Sequence, residues 1–251
     1  MRTSAIQGID FHCHLDLFSD FPERIAACDR ACIATLAVTT TPQAFARNLE
    51  LTTNTTHVRA ALGLHPQLVA ERGNEISLFA ELLPMSRYVG EVGLDASPAH
   101  YPSWPQQQEV FGEVLRLCAA SGNKILSIHA VRCVQHVLDA IEKLLPPHRC
   151  SVVFHWFTGT HRELSRAVSS GCYFSVNTAM LQNPKGRELV RAIPTDRLLT
   201  ESDGPFQQRA GRSSDPLDMP VLTAELAHSR GVTADEMLVL LRQNLGSLLS
   251  R

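Results

Sequence analysis

The sequence predicts an α/β fold, a single (β/α)8 TIM barrel with a metal site at the C-terminal ends of its strands. Three observations predict it. Eight short apolar runs alternate with helical patterns along the 251 residues, the rhythm of parallel strands joined by helical crossovers. The runs are continuously apolar rather than alternating, as expected of strands covered on both faces. Six metal-type residues, His12, His14, Glu91, His129, His155 and Asp203, fall toward the ends of the first, fourth, fifth, sixth and eighth runs. A barrel gathers its strand ends on one face, so residues far apart in sequence converge there.

The strand-like runs are residues 9–14, 32–39, 58–64, 88–94, 125–129, 152–155, 173–176 and 198–202. Apolar residues at three- and four-residue spacing mark helices over 21–31, 42–51, 76–83, 105–121, 134–145, 161–170 and 184–193,. A final helical segment, 220–249, completes the outer ring. Thr41-Pro42, Trp104-Pro105, Thr160 and Asn183-Pro184 are helix openings, and Gly122 and Gly171 sit where helices stop,. Residues 207–219 are polar and contain Gly and Pro, the composition of a loop after the last strand,. A doubly wound open sheet is the alternative, but it does not place ligand-type residues after nearly every strand. With no linker or internal repeat, residues 1–251 read as one domain.

Composition narrows the function classes. The chain is 44% hydrophobic, enough for a sizeable core, and its net charge of −2 gives no overall attraction for polyanions or acidic membranes,. No run is long enough to span a bilayer, and the first ten residues lack the apolar centre of a signal peptide. The seven cysteines are odd in number and scattered through apolar runs, which suits reduced thiols of a cytoplasmic protein,. Cys28 and Cys32 lie four apart on a helix; without a second pair, packing is the better account of them than metal binding,.

The six ligand-type residues carry the chemistry. Ile9-Asp-Phe-His12-Cys-His14 sets two imidazoles on one side of an extended chain, because strand side chains alternate with a period of two,. Glu91 lies in an otherwise uncharged apolar run, where a carboxylate has to be paired, protonated or bound to metal,. The alternatives are a salt bridge to a neighbouring arginine and a bridge between two ions, and flanking Gly90 and Gly93 point to close approach of backbone or ligand,. His129 and His155 close two consecutive strands. Asp203 either caps a turn with Gly204-Pro205 or completes a metal shell and accepts a proton from water,. Together, four imidazoles and two carboxylates suit a pair of divalent ions, Zn²⁺ or Mn²⁺ better than Mg²⁺.

The chain also resembles the TatD family of metal-dependent deoxyribonucleases, within the amidohydrolase-type barrels. The resemblance spans nearly the whole chain and rests on Asp10-Phe-His12-Cys-His14-Leu-Asp16, Gly63-Leu-His65-Pro66, Gly90-Glu91-Val-Gly-Leu-Asp95, a helix start at Gln107, Ser127-Ile-His129, His155-Trp-Phe-Thr-Gly159 and Thr200-Glu-Ser-Asp203-Gly-Pro205. It implies hydrolysis of phosphodiester bonds, as in 3′→5′ exonucleases acting on single-stranded DNA and in some cases RNA. It further implies that His12, His14 and Asp203 hold a first ion, that His129 and His155 hold a second, and that Glu91 bridges. Asp203 then serves as general base, and His65 either contacts the scissile phosphate or is a structural histidine before Pro66. Where many relatives carry His-Ser-Arg-Asp-Ala, this chain has His129-Ala-Val-Arg132-Cys, so the arginine is displaced and the acid is absent.

The expected partner is a single-stranded nucleic-acid end rather than a membrane. Trp104, Trp156, Phe157 and Phe206 are candidates to stack bases, and Arg132, Arg162, Lys185, Arg187, Arg209 and Arg212 are candidates to meet phosphates,. Two other readings stay open. One is a metal-dependent amide or ester hydrolase on the same barrel. The other is a subunit of a multi-protein system, since relatives of the family occur in bacterial gene clusters for defence against phage.

Overall fold

A computed structural model describes residues 6–250. Eight parallel strands run in chain order: β1 (Gly8–Cys13), β2 (Ile33–Ala37), β3 (Val58–Ala60), β4 (Tyr88–Asp95), β5 (Lys124–Val131), β6 (Cys150–His155), β7 (Tyr173–Val176) and β8 (Leu198–Thr200). The helices around them are α1 (Phe21–Arg30), α2 (Pro42–Thr52), α3 (Val69–Arg72), α4 (Ile76–Leu82), α5 (Trp104–Ser121), α6 (Val134–Leu144), α7 (His161–Ser169), α8 (Thr178–Gln182), α9 (Pro184–Ala192), α10 (Met219–Arg230) and α11 (Ala234–Leu249). This is the expected α/β barrel order, with each strand start near the expected residue.

The ladder falls into two parallel sheets, β1-β2-β3 and β4-β5-β6-β7-β8, joined by a bridge between Leu62 and Val89. Side chains and single backbone bonds span the seam between β8 and β1. The Thr200 hydroxyl donates to the Ile9 carbonyl, and the Asp203 N–H to the His12 carbonyl at 2.9 Å. The Asp10 carboxylate accepts from the Ser202 N–H at 2.9 Å and the His12 N–H at 3.2 Å.

Strand register is interrupted at two places that matter. Pairing of β4 with β5 shifts between Val89 and Val92, across Glu91, and pairing of β1 with β2 shifts between Asp10 and Cys13, across His12. Such irregularities turn a side chain out of its regular direction. Gly93 allows the approach of β4 to β5 there: at its φ of 148° a Cβ would lie 2.0 Å from the His129 carbonyl oxygen,.

Helix boundaries follow local chemistry. Thr160 with Glu163 and Thr233 with Glu236 form capping boxes that open α7 and α11,. Gly122 (φ 69°) and Gly171 (φ 79°) end α5 and α7 in the left-handed region, as their positions suggested,. The expected single helix over 220–249 is two helices. Gly231 (φ 68°) terminates α10, and the Thr233 capping box restarts the chain as α11. The loop over 207–219 contains a small hairpin, β9 (Gln208–Arg209) and β10 (Arg212–Ser213). The core fills the barrel interior and the layer between strands and helices, with Phe154, Phe174 and Tyr173 fully buried.

Candidate metal centre

All six expected ligands converge at the C-terminal ends of the strands, and all are buried. Glu91 is the hub. Its Oε2 lies 3.3 Å from His12 Nε2, 3.1 Å from His14 Nε2 and 3.2 Å from His65 Nε2. Its Oε1 lies 2.6 Å from His129 Nδ1 and 2.9 Å from His155 Nε2. Asp203 Oδ1 stands 3.8 Å from His12 Nε2 and 3.9 Å from His14 Nε2. Among the described residues no arginine pairs with Glu91, so the salt-bridge alternative is replaced by a ring of imidazoles.

Hydrogen bonding alone does not satisfy this arrangement. A carboxylate offers about four lone-pair sites, and five ring nitrogens are aimed at this one. Two of those nitrogens, His12 Nε2 and His14 Nε2, also face each other at 3.3 Å. Convergent nitrogen lone pairs beside carboxylate oxygens are what a divalent cation binds, and three donor groups have the compactness for it: His12, His14 and Glu91; His65, Glu91 and His129; His12, His155 and Glu201,.

Residues behind the ring orient it. Asp95 Oδ2 lies 3.2 Å from His129 Nε2 and accepts from the Gln67 amide at 2.8 Å, while Asp95 Oδ1 accepts from the Ser97 N–H. With Nε2–H directed at Asp95, His129 turns the lone pair of Nδ1 inward. Glu201 Oε1 lies 3.5 Å from His155 Nδ1 and accepts from the Trp156 N–H and the Asn177 amide, both at 3.0 Å. The Ser127 hydroxyl meets His12 Nδ1 at 2.8 Å. His65 differs: its Nδ1 accepts from the Gln67 N–H at 3.2 Å, so its Nε2 carries the proton and is a donor, which leaves the His65, Glu91 and His129 group without a His65 lone pair for an ion,. Asp95 and Glu201 have no role assigned from sequence, although both stand inside the motifs that carry the family resemblance. Their signal was a carboxylate two to four residues from a ligand at a strand end.

The electrostatics match a site built for positive charge. Burial alone would raise the Glu91 carboxyl, but His65, His155 and His12 outweigh it and hold it well below the carboxylate range. Burial depresses His12 well below the usual imidazole value, with His155 adding to the effect. Burial would also depress His129 and His155; hydrogen bonds donated to Asp95 and Glu91 raise the first, and the charges of Glu91 and Glu201 raise the second. Asp203 is pushed up to about 7 by burial, opposed by His155 and reinforced by Glu201. Asp10 is pushed up to about 8 by burial against hydrogen bonds from Ser202 and His12. Positive charge is thus favoured on His129 and His155 beside an ionised Glu91, while a neutral His12 and an Asp203 driven toward neutrality are the groups that a cation's charge would stabilise,.

A cavity of about 610 Å³ opens over the ring. It is lined by His14, His65, Glu91, His129, His155 and Asp203, with Arg132, Trp156 and Phe206 at its walls. Phe206 is exposed and meets the His14 ring edge-on at 5.1 Å. Other expected substrate contacts lie elsewhere. Phe157 is buried against Phe154 and Phe174 rather than free to stack a base. Trp104 stacks on Tyr101 at the start of α5 and is not among the cavity residues. Arg209 pairs with Glu225, Arg212 with Asp218 and Asp215, and Arg187 donates to the Leu181 and Gln182 carbonyls. Arg162 and Lys185 are exposed but outside the cavity lining.

An α/β barrel holding this ring defines a metal-dependent hydrolase, an enzyme that cuts ester bonds. The chain belongs to the TatD-related DNase family, whose model matches residues 9–250. It is 29% identical to the 3′-5′ ssDNA/RNA exonuclease TatD of Pantoea vagans over 74% of this chain and 75% of that protein. It is 22% identical to an uncharacterized metal-dependent hydrolase of Methanocaldococcus jannaschii over 92% of each. Among solved structures, the TatD homologue YjjV of Escherichia coli superposes with a TM-score of 0.85 at 26% identity, covering 98% of both chains. No helix among the described residues is long and apolar enough to cross a membrane.

Proposed function

We propose that this protein is a two-metal phosphodiesterase of the cytoplasm, a 3′→5′ exonuclease acting on single-stranded DNA and also on RNA ends. The observation that carries the reading is Glu91, which turns one oxygen to His12 and His14 and the other to His129 and His155. In this reading the first ion sits among His12, His14, Asp203 and Glu91, and the second among His129, His155 and Glu91. Residues 1–251 act as one domain. The mixed nitrogen and oxygen donors favour Zn²⁺ or Mn²⁺ over Mg²⁺. Divalent ions held there supply charge to a phosphoryl oxygen and lower the pKa of water toward neutrality.

The chain's own groups do the rest. Asp203, at the rim of the ring, takes the proton of the attacking water. His65, with its proton held on Nε2, donates a hydrogen bond to a non-bridging phosphate oxygen. Asp95 and Glu201 hold the rings of His129 and His155 in the inward-facing tautomer. The name of the Pantoea vagans relative supports both polarity and substrate class.

The test is cleavage of 5′- and 3′-labelled single- and double-stranded oligonucleotides with Mg²⁺, Mn²⁺ and Zn²⁺, using wild type and Glu91→Ala. A ladder shortening from the 3′ end of single strands, absent in the variant, is the expected result. Absence of cleavage with every ion would overturn it and leave the amide or ester hydrolase.

A further inference from the structure

The cavity contains one side-chain cation that has nothing to do with the ring. Arg132 is exposed, lines the cavity, and makes no hydrogen bond or ion pair among the described residues. The other arginines considered for phosphate contact differ in this respect. Arg209, Arg212 and Arg187 are occupied by internal partners, and Arg162 lies outside. Arg132 is also held in an unfavourable backbone state, with φ of 59°, three residues beyond His129 at the close of β5. Trp156, the residue after His155, is likewise left-handed at φ 40° and forms another wall. Non-glycine residues kept in this region cluster where structure serves a ligand.

We infer that Arg132 forms a second anionic subsite, which takes the phosphate neighbouring the scissile one while the apolar faces of Trp156 and Phe206 receive the intervening nucleoside. This deepens the nuclease reading and rests on it. A guanidinium presents a planar fork of donors that matches two phosphate oxygens, and an unpaired one has no internal bond to give up on binding. Apart from the ring and Arg132, the cavity wall is uncharged, with Leu68, Ala130, Val131 and aromatic rings beside the polar Thr40, Gln67 and Thr158, which suits a base and sugar but not a run of charge,. The footprint is therefore two phosphates. Oligonucleotides qualify, and esters bearing a single phosphate lack the second contact.

The experiment compares a trinucleoside diphosphate with a dinucleoside monophosphate as substrates for the metal-loaded enzyme. Arg132→Gly is the main variant, because glycine occupies positive φ freely and the fold is spared. Arg132→Lys tests whether charge without the fork suffices. Wild type should prefer the two-phosphate substrate in kcat/KM by about tenfold or more. Arg132→Gly should erase that preference through KM, leave the one-phosphate substrate unchanged, and Arg132→Lys should restore part of it. Anisotropy of a labelled oligonucleotide in EDTA, where no cleavage runs, should show weaker and less salt-sensitive binding by Arg132→Gly. An equal loss on both substrates, or no preference in wild type, would overturn the subsite while sparing the nuclease. If bis(4-nitrophenyl) phosphate is cut and neither oligonucleotide is, the nucleic-acid reading fails and the subsite with it.

Discussion

Both ends of the barrel strands bury polar groups, and they treat them in opposite ways. At the N-terminal ends, donors meet backbone carbonyls. Lys124 Nζ donates to the Leu83 and Ser86 carbonyls at 2.9 and 2.6 Å, and the Asn244 amide to those of Thr195 and Leu198 at 2.7 and 2.8 Å. At the C-terminal ends, imidazole nitrogens crowd one carboxylate and face each other. Burial is common to both. What separates a structural polar cluster from a functional one is whether its own members satisfy it.

The sharpest way to break this comparison is to remove the cation. If ions complete the C-terminal end, EDTA should lower the melting temperature of the metal-loaded protein by roughly 5–10 °C. That follows from about 2.7 kcal/mol of linkage at a ligand concentration 100 times Kd and about 2–4 °C per kcal/mol for a domain of this size. Glu91→Ala should show no such response, with bound metal reduced and ester cleavage lowered at least about a thousandfold. A melting curve indifferent to EDTA in wild type would mean that the two ends are equally self-sufficient.

A smaller effect is expected one layer out. Asp95→Asn keeps the size of the side chain but weakens the acceptor that fixes His129. Competition against a chromophoric chelator should show metal affinity reduced about 10–100-fold. Unchanged affinity would reduce Asp95 to a brace for its loop. The smallest catalytic effect belongs to the other end. Lys124→Met leaves the Leu83 and Ser86 carbonyls without their buried donor, so denaturant melts should show about 1–3 kcal/mol lost. Its kcat/KM should stay within about twofold of wild type. If activity fell in step with stability, the ends would not be separable.

Much of this contrast is legible in the amino-acid sequence. A strand end is a local pattern, so His12, His14, Glu91, His129, His155 and Asp203 announced themselves by closing apolar runs. Partnership is tertiary and stayed hidden. Asp95 looked like the first residue of a loop, and its role appears only when β4 lies beside β5 and His129 faces it. Arg209 looked free because its partner Glu225 lies on α10, whereas the partners of Arg212, Asp215 and Asp218, stand close to it in the same loop. Phe157 followed a ligand by two residues, yet the left-handed turn at Trp156 sends it back into the core. The break at Gly231 was written locally, in Thr233 and Glu236, but continuous apolar spacing across it masked the signal.

The seam between the first and eighth strands has one more consequence. His12 and the Asp10 brace belong to β1, while Ser202 and Asp203 follow β8, about 190 positions later in the chain. The ring therefore closes only when the earliest and latest strands of the barrel meet. A ribosome-bound chain that has not yet released β8 and the residues after it holds no Asp203, and the His12 carbonyl lacks its partner across the seam. Synthesis itself thus keeps the hydrolytic centre unassembled until the barrel can shut around it.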